Sequence, residues 1–530
     1  MSSKSSKRKN QQEKDRAYIK GYRIPDYLNY LYLFVMFTIY PIITDNKYFN
    51  ITITRYNCFA YAAAAYIIAL VIGYIIESTI EDYNGYPSIL PSFNKKKRYA
   101  KPEFWMEAFL VANIFACICA DDSNNAFSGK QGRFMGLLTY MLIAFMFIIM
   151  TQRLKINMII YMFFAAATAY AYIIAIVQHS GYDILNYKDG ISAKQYNIFI
   201  STMGNINIFA SFITITTAVF LCMFIFAKEI YSRIVAAILI VGGGFCIMIA
   251  NSDSVYLGLV SVLVLLFFLA YKDGCVKRFV SALIFLAIGN LGVVLLNKYV
   301  VDKFENRGGF AQIFDNIKMA VIILIALVVL YGIVAFVAKK FKDKLESLNK
   351  KKVILILLGI MLAGAGVIVI AGVASGHELF TFNYKWGTYR GYIWSKCVEL
   401  FNDAPLTNKL FGYGNETLKE LMNSSYRTEM LEVTGKVYDN AHNEVLQYLV
   451  TTGLLGAISY IGLFITSCIY MIKNSKNDAI VYISLAVTVG YFVQGLINLN
   501  QPITTPFYFL FMAMGIGHIR YQKKVEEYSA

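Results

Sequence analysis

Apolar runs of roughly 20 residues, each long enough to cross a bilayer as one helix, recur along this chain with polar connectors between them. Fourteen are read, at 28–44, 57–77, 103–120, 134–150, 157–177, 198–226, 234–250, 255–271, 279–297, 319–338, 353–374, 445–471, 479–498 and 506–519. Glu103 and Glu107 interrupt the third, and the last is short. The exception to short connectors is 375–441, which holds Trp386 and Trp394, two of the three tryptophans, among many tyrosines. Its pattern predicts a helix over Thr388–Asn402, a stop at Asp403-Ala-Pro405 and a turn at Phe411-Gly-Tyr-Gly414. Long structured loops tend to be functional, and this one is expected to cap one face of the membrane domain. The fold class expected is all-α: a polytopic transmembrane helix bundle of about 14 spans with one large helical outer loop.

Composition agrees, with 58% hydrophobic residues, 15% charged and a mean hydropathy of +0.53, and it excludes a soluble globular class. Charge then orients the chain, because cytoplasmic loops carry excess Lys and Arg. With residues 1–27 cytoplasmic, 32 of the 49 Lys and Arg fall inside, 17 outside and none within a span. Both termini are expected in the cytoplasm, and 375–441 on the outer side. The net charge of +16 calls for no nucleic acid; Lys95-Lys-Lys-Arg98, Lys350-Lys-Lys352 and the basic amino-terminal tail suit anionic membrane lipid.

The units are thus a disordered basic tail (1–27), spans one to eleven (28–374), the outer loop (375–441), the last three spans (442–519) and a second tail (520–530). The first apolar run starts too late for a cleavable signal and reads as a retained anchor. Eight scattered Cys and four dispersed His show no C-x-x-C or paired-His spacing, so neither a metal site nor a disulfide framework is expected.

Candidate chemistry gathers where the outer loop meets the twelfth span, in Asp439-Asn-Ala-His-Asn-Glu444. His442 can serve as a base near neutral pH with little perturbation. Asp439 and Glu444 either orient its ring or favour the helix start, with Asp439 or Asn440 as the cap. Arg390, and Arg133 in Ser128-Gly-Lys-Gln-Gly-Arg133, have the forked donors that suit phosphate or pyrophosphate; Lys130, Arg307 and Arg427 are weaker candidates. Asp253 sits in a very short turn between two spans and reads either as a functional carboxylate or as a solvated cap. Asn205 and Asn207, and Asn500 in the Pro-bounded turn 498–506, lie at outer ends of spans, where they bind sugar hydroxyls or a neighbouring helix.

At these positions the chain resembles the O-antigen ligase/polymerase superfamily. The resemblance rests on Ala441-His-Asn-Glu-Val-Leu-Gln-Tyr-Leu-Val-Thr-Thr-Gly453-Leu-Leu-Gly456, on Arg390-Gly-Tyr-Ile-Trp394 followed by Leu410-Phe-Gly-Tyr-Gly414, and on Met203-Gly-Asn-Ile-Asn207. It implies a GT-C-like, metal-independent glycosyltransferase without cofactor, using a polyprenyl-pyrophosphate-linked glycan on the outer face of the bacterial plasma membrane. His442 would then act on the acceptor hydroxyl, Arg390 and Arg133 would hold the pyrophosphate, and Tyr389, Trp394 and Asn443 would lie against substrate. Chain-length regulators and other polysaccharide-assembly proteins are the partners it implies. One departure is Ser252-Asp-Ser254, where the ligase branch often carries an Arg. Polymerisation of repeat units is favoured on that ground, with ligation of a finished chain as the alternative. A lipid-linked oligosaccharide flippase is the rival of another class, disfavoured by the absence of Lys and Arg inside the spans.

Overall fold

The computed structural model describes residues 2–91, 101–192, 195–301, 309–343, 347–376 and 380–528. Lys95–Arg98, Arg307 and His377 lie outside them. Helices make up 76% of the structure, and among the described residues nine are long and apolar enough to cross a membrane. A polytopic helical membrane protein is what the apolar runs predicted, and each run falls on helix. The helices Leu137–Met150 and Ala479–Gly495 are apolar but shorter.

The centre is the helix Ile206–Phe226, 94% buried over its most apolar window, packed against Ile230–Ala250 and Ala479–Gly495. A helix that is apolar on every side belongs in a core. Two of its hydroxyls are satisfied within the helix: Thr214 and Thr216 donate to the carbonyls of Ala210 and Phe212 at 2.9 Å each. At the other extreme, Lys350–Ala374 has none of its apolar window buried and Ile317–Lys340 only 6%, the exposure that suits helices facing lipid.

Several expectations are corrected. The run 198–226 is helical only from Ile206, because Phe199–Ile200 and Gly204–Asn205 pair as a two-stranded antiparallel ribbon. Residues 445–471 form two helices, Glu444–Thr451 and Gly453–Asn474. The break is stabilised by the long loop, whose Tyr413 and Gly414 amides donate to the carbonyls of Val450 (3.1 Å) and Thr451 (2.9 Å), groups a helix end otherwise leaves open. The contact needs glycine on both sides: Gly412 (φ 79°) and Gly453 (φ 67°) are left-handed, and a Cβ on either would collide with the opposite backbone.

The tail expected to be disordered is helical over Ser2–Lys20, and its last turn is pinned. Arg153, 1% exposed, pairs with the fully buried Asp26 at 3.0 Å and donates to the carbonyls of Ile19 and Gly21. Arg55, counted as a loop cation, sits inside the helix Ile51–Asn84 with no exposure. Its guanidinium closes the carbonyls of Ile43, Tyr40 and Thr202, where the chain leaves regular helix.

The long loop 375–441 forms a cap with three helices, Trp386–Asp403, Leu406–Phe411 and Leu418–Thr434. The first matches the expected helix and stop; the second and third were not predicted. Tyr392, Ile393, Cys397, Met422 and Met430 give the cap its own apolar core, which reaches Val450 beneath it.

Candidate active site at the cap–bundle junction

Residues 435–443 descend from the cap into the bundle and are held on three sides. Trp394 Nε1 donates to the carbonyl of Ala441 at 3.0 Å, while the Ala441 amide donates to Gln447 Oε1 at 3.0 Å. Asn440 Oδ1 accepts the His442 amide at 2.8 Å, and its Nδ2 reaches Asn500 Oδ1 at 3.4 Å; Asn500 in turn donates to Tyr140 at 2.9 Å. These bonds hold His442 in a left-handed conformation, φ 49°, which non-glycine residues adopt mainly where surroundings over-determine them. The helix that follows is capped by Asn443, whose Oδ1 accepts the Leu446 amide at 3.0 Å, and not by Asp439 or Asn440 as expected.

Asp439 is engaged elsewhere: both its oxygens accept from Arg133 Nη2, at 2.8 and 2.9 Å. Burial opposes ionisation of this carboxyl, yet the Arg133 guanidinium prevails and holds it below the usual carboxylate range. Arg390 follows three left-handed residues, Gly387, Thr388 and Tyr389 (φ 58°, 60° and 69°), and its Nη1 donates back to the Gly387 carbonyl at 2.8 Å. Burial lowers the Arg390 pKa, partly countered by the Asp253 carboxylate, so Asp253 lies within electrostatic reach of Arg390.

His442 responds to all of these. Burial first, then the positive fields of Arg390 and Arg133, press its pKa to about 3 against the opposing pull of Asp439. The imidazole is therefore neutral across the physiological range, the form that accepts a proton. Its Nδ1 is buried without a hydrogen-bond partner, as are the Nε atoms of Arg133 and Arg390. Three orphaned nitrogens in one charged cluster are unusual, since buried polar groups are nearly always paired.

The structure thus brings Arg133, Arg390, Asp439, Asp253 and His442 together, and separates Glu444 from them. Glu444 is 2% exposed and turns into the bundle, where Tyr460 and Tyr491 donate to its two oxygens at 2.6 and 2.9 Å. Lys130 and Arg427 lie exposed. Trp394 packs with Phe382 and Trp386, rings 5.2–6.3 Å apart, beside the His442 segment.

Residues 317–461 match the O-antigen ligase family. The O-antigen ligase match bears out the resemblance drawn from His442, Arg390 and the glycines after them, and it takes in Tyr389, Arg390, Trp394, Asp439, His442, Asn443 and Glu444. Arg133, Asn205, Asn207, Asp253 and Asn500 fall outside it. An uncharacterized protein of Haemophilus influenzae is 25% identical over 214 residues, 37% of this chain; the match spans about half of that relative, 48% of its length.

Sequence reasoning missed two elements. One is a buried polar network: Asn498 Nδ2 meets the Asn207 carbonyl (3.0 Å), Ser211 Oγ (3.2 Å) and Ser254 Oγ (3.3 Å), while Ser252 Oγ donates to Asn207 Oδ1 at 3.1 Å. It ties together the three Asn- and Ser-rich strings noted in the sequence and fixes the turn that carries Asp253. Asn205 caps the helix beginning at Ile206. The other is Glu416, next to the quoted Phe-Gly-Tyr-Gly turn, whose partner Met135 is 281 residues away; nothing local in the sequence signals that meeting.

Proposed function

We propose that this protein is a membrane glycosyltransferase that moves a glycan from polyprenyl pyrophosphate to an acceptor hydroxyl at the outer face of the bacterial plasma membrane. The product favoured is a growing surface polysaccharide of the O-antigen or capsule type. The observation that carries the reading is the neutral His442 set between two arginines, with unspent nitrogens on all three side chains.

In the transfer, the acceptor oxygen forms a bond to the anomeric carbon while the bond from that carbon to the pyrophosphate oxygen breaks and leaves its electron pair on the pyrophosphate. His442 takes the acceptor proton. Arg133 and Arg390 stabilise the departing charge, the electrostatic contribution such a site must chiefly supply. An anion bound between the arginines also offsets the fields that depress His442, so the donor itself raises the basicity of the acceptor-activating group. Asp439 holds the Arg133 guanidinium in place, Asp253 supplies a counter-charge near Arg390, and Trp386 and Trp394 offer ring faces to sugars. Both termini are cytoplasmic in this reading, and the cap faces outward.

A second reading, transfer of a finished chain to lipid, peptidoglycan or protein, is favoured by the matched family's description as an O-antigen ligase. Polymerisation is preferred because the turn 252–254 adds a carboxylate rather than a further cation to the leaving-group site. Purified protein incubated with a polyprenyl-pyrophosphate oligosaccharide should lengthen the glycan and release polyprenyl pyrophosphate. No turnover by the wild type, or full turnover by His442→Ala, would overturn the proposal; growth only when a foreign acceptor is added would select the ligase.

A further inference from the structure

We propose that Glu416 is a positioning residue for Arg133: its carboxylate sets the turn that aims the guanidinium at the leaving group. This rests on the function proposed above.

The turn Gly129–Met135 closes on the Gly129 carbonyl, which accepts the Gly132 and Phe134 amides at 3.1 and 2.9 Å. Its remaining amides are met by side chains from outside it, one of them from a distant segment. Glu416 Oε1 accepts the Met135 amide at 3.1 Å, and the same carboxylate lies against the Arg133 backbone. Asn125 holds the turn one step earlier, its Oδ1 accepting the Gln131 amide at 3.0 Å while its Nδ2 reaches the Glu416 carbonyl at 3.5 Å. The amides of residues 131 and 135, on either side of Arg133, are therefore both spent on side chains from outside the turn. The fit is close: a Cβ on Gly132 would collide with the Glu416 carboxylate. Glu416 itself is left-handed (φ 61°), on the stretch that docks over the break at Thr452.

Division of labour follows. Glu416 holds the turn that carries Arg133 through the Met135 amide, and Asp439 takes only Nη2 of the Arg133 side chain, so the buried Nε stays without a partner. A guanidinium restrained at its root and at one tip loses less rotamer freedom on meeting an anion than a free one. Because Glu416 belongs to the cap and Arg133 to the bundle, the leaving-group site is complete only while the cap is seated.

Glu416→Gln removes the charge and turns an N–H toward one of the two amides. Gly132→Ala displaces the carboxylate from the other side and carries the same test should the first variant fold poorly. Either should raise KM for the polyprenyl-pyrophosphate donor about tenfold with kcat within about threefold, a loss of shared binding rather than of chemistry. In an Arg133→Ala background neither should add further loss. Hydrogen–deuterium exchange should rise over residues 129–137 and stay unchanged in the bundle. Losses that multiply with Arg133→Ala, or unaltered exchange over 129–137, would overturn the assignment. Exchange is read without turnover, so an inactive wild type, or an Arg133→Ala protein of full activity, would refute the proposed reaction while still deciding whether Glu416 holds the turn.

Discussion

Glu444 invites a sharp experiment, because the sequence offers it as a partner of His442 and the structure turns it away. Its two oxygens each accept a buried tyrosine hydroxyl, from Tyr460 and Tyr491. Glu444→Ala strands both donors, and a buried polar group left unpaired costs about 1–3 kcal/mol. Tyr491 retains Thr505 Oγ1 at 2.8 Å, which places its share at the low end. Loss of an acid from the first helical turn adds about 0.3–1 kcal/mol. The expected destabilisation is therefore about 2–5 kcal/mol. Glu444→Gln should differ sharply: its amide oxygen still accepts from Tyr460, while its NH2 donates to Tyr491, whose own proton turns to Thr505. That variant should lose about 1 kcal/mol or less. Unfolding in detergent can be followed with a thiol-reactive dye, since Cys222, Cys246, Cys397 and Cys468 are buried and free. Equal destabilisation by Ala and Gln would refute the hydrogen-bond accounting. A Gln variant of unchanged stability whose turnover fell more than about 100-fold, the scale of a lost general acid or base, would return Glu444 to the reacting centre.

Other expectations follow from the same geometry. The His442 pKa of about 3 lies below its unfolded value, so the unfolded chain binds more protons between those limits; stability should rise with pH from about 3 to about 6.5 and then level off. His442→Gln should remove that rise, seen as a difference in unfolding midpoint that grows with pH over the window and is constant above it. Arg390→Lys keeps the charge but loses the fork, and should raise donor KM about tenfold in steady-state kinetics, with Arg390→Ala worse. Gly412→Ala cannot adopt its left-handed turn against Thr451, and should cost more than about 1 kcal/mol and expose the 410–414 segment to limited proteolysis.

Much of this protein was legible in one dimension, because burial in lipid leaves a one-dimensional trace. A helix that must satisfy its own backbone across an apolar layer needs a long uncharged run, and the described helices stand where those runs are. The cap's first helix, its stop at Ala404 and its turn at 411–414 were legible for a similar local reason. His442 and Arg390 came from local strings that the O-antigen ligase match then covered.

What the sequence left undecided depends on contacts between distant segments. It offered Asp439 and Glu444 as equivalent neighbours of His442; the tertiary structure gave Asp439 to Arg133 and Glu444 to two core tyrosines. Arg55 and Arg153 read as loop cations and proved to be buried keystones, since their carbonyl and carboxylate partners come from other segments. The break at Thr452 sits in a run read as one apolar helix, and only the docked Tyr413 and Gly414 amides reveal why it is stable there. Apolar pattern specifies which segments leave water; the pairing of the few polar groups that go with them is set by geometry, because each must find its partner wherever the fold supplies one.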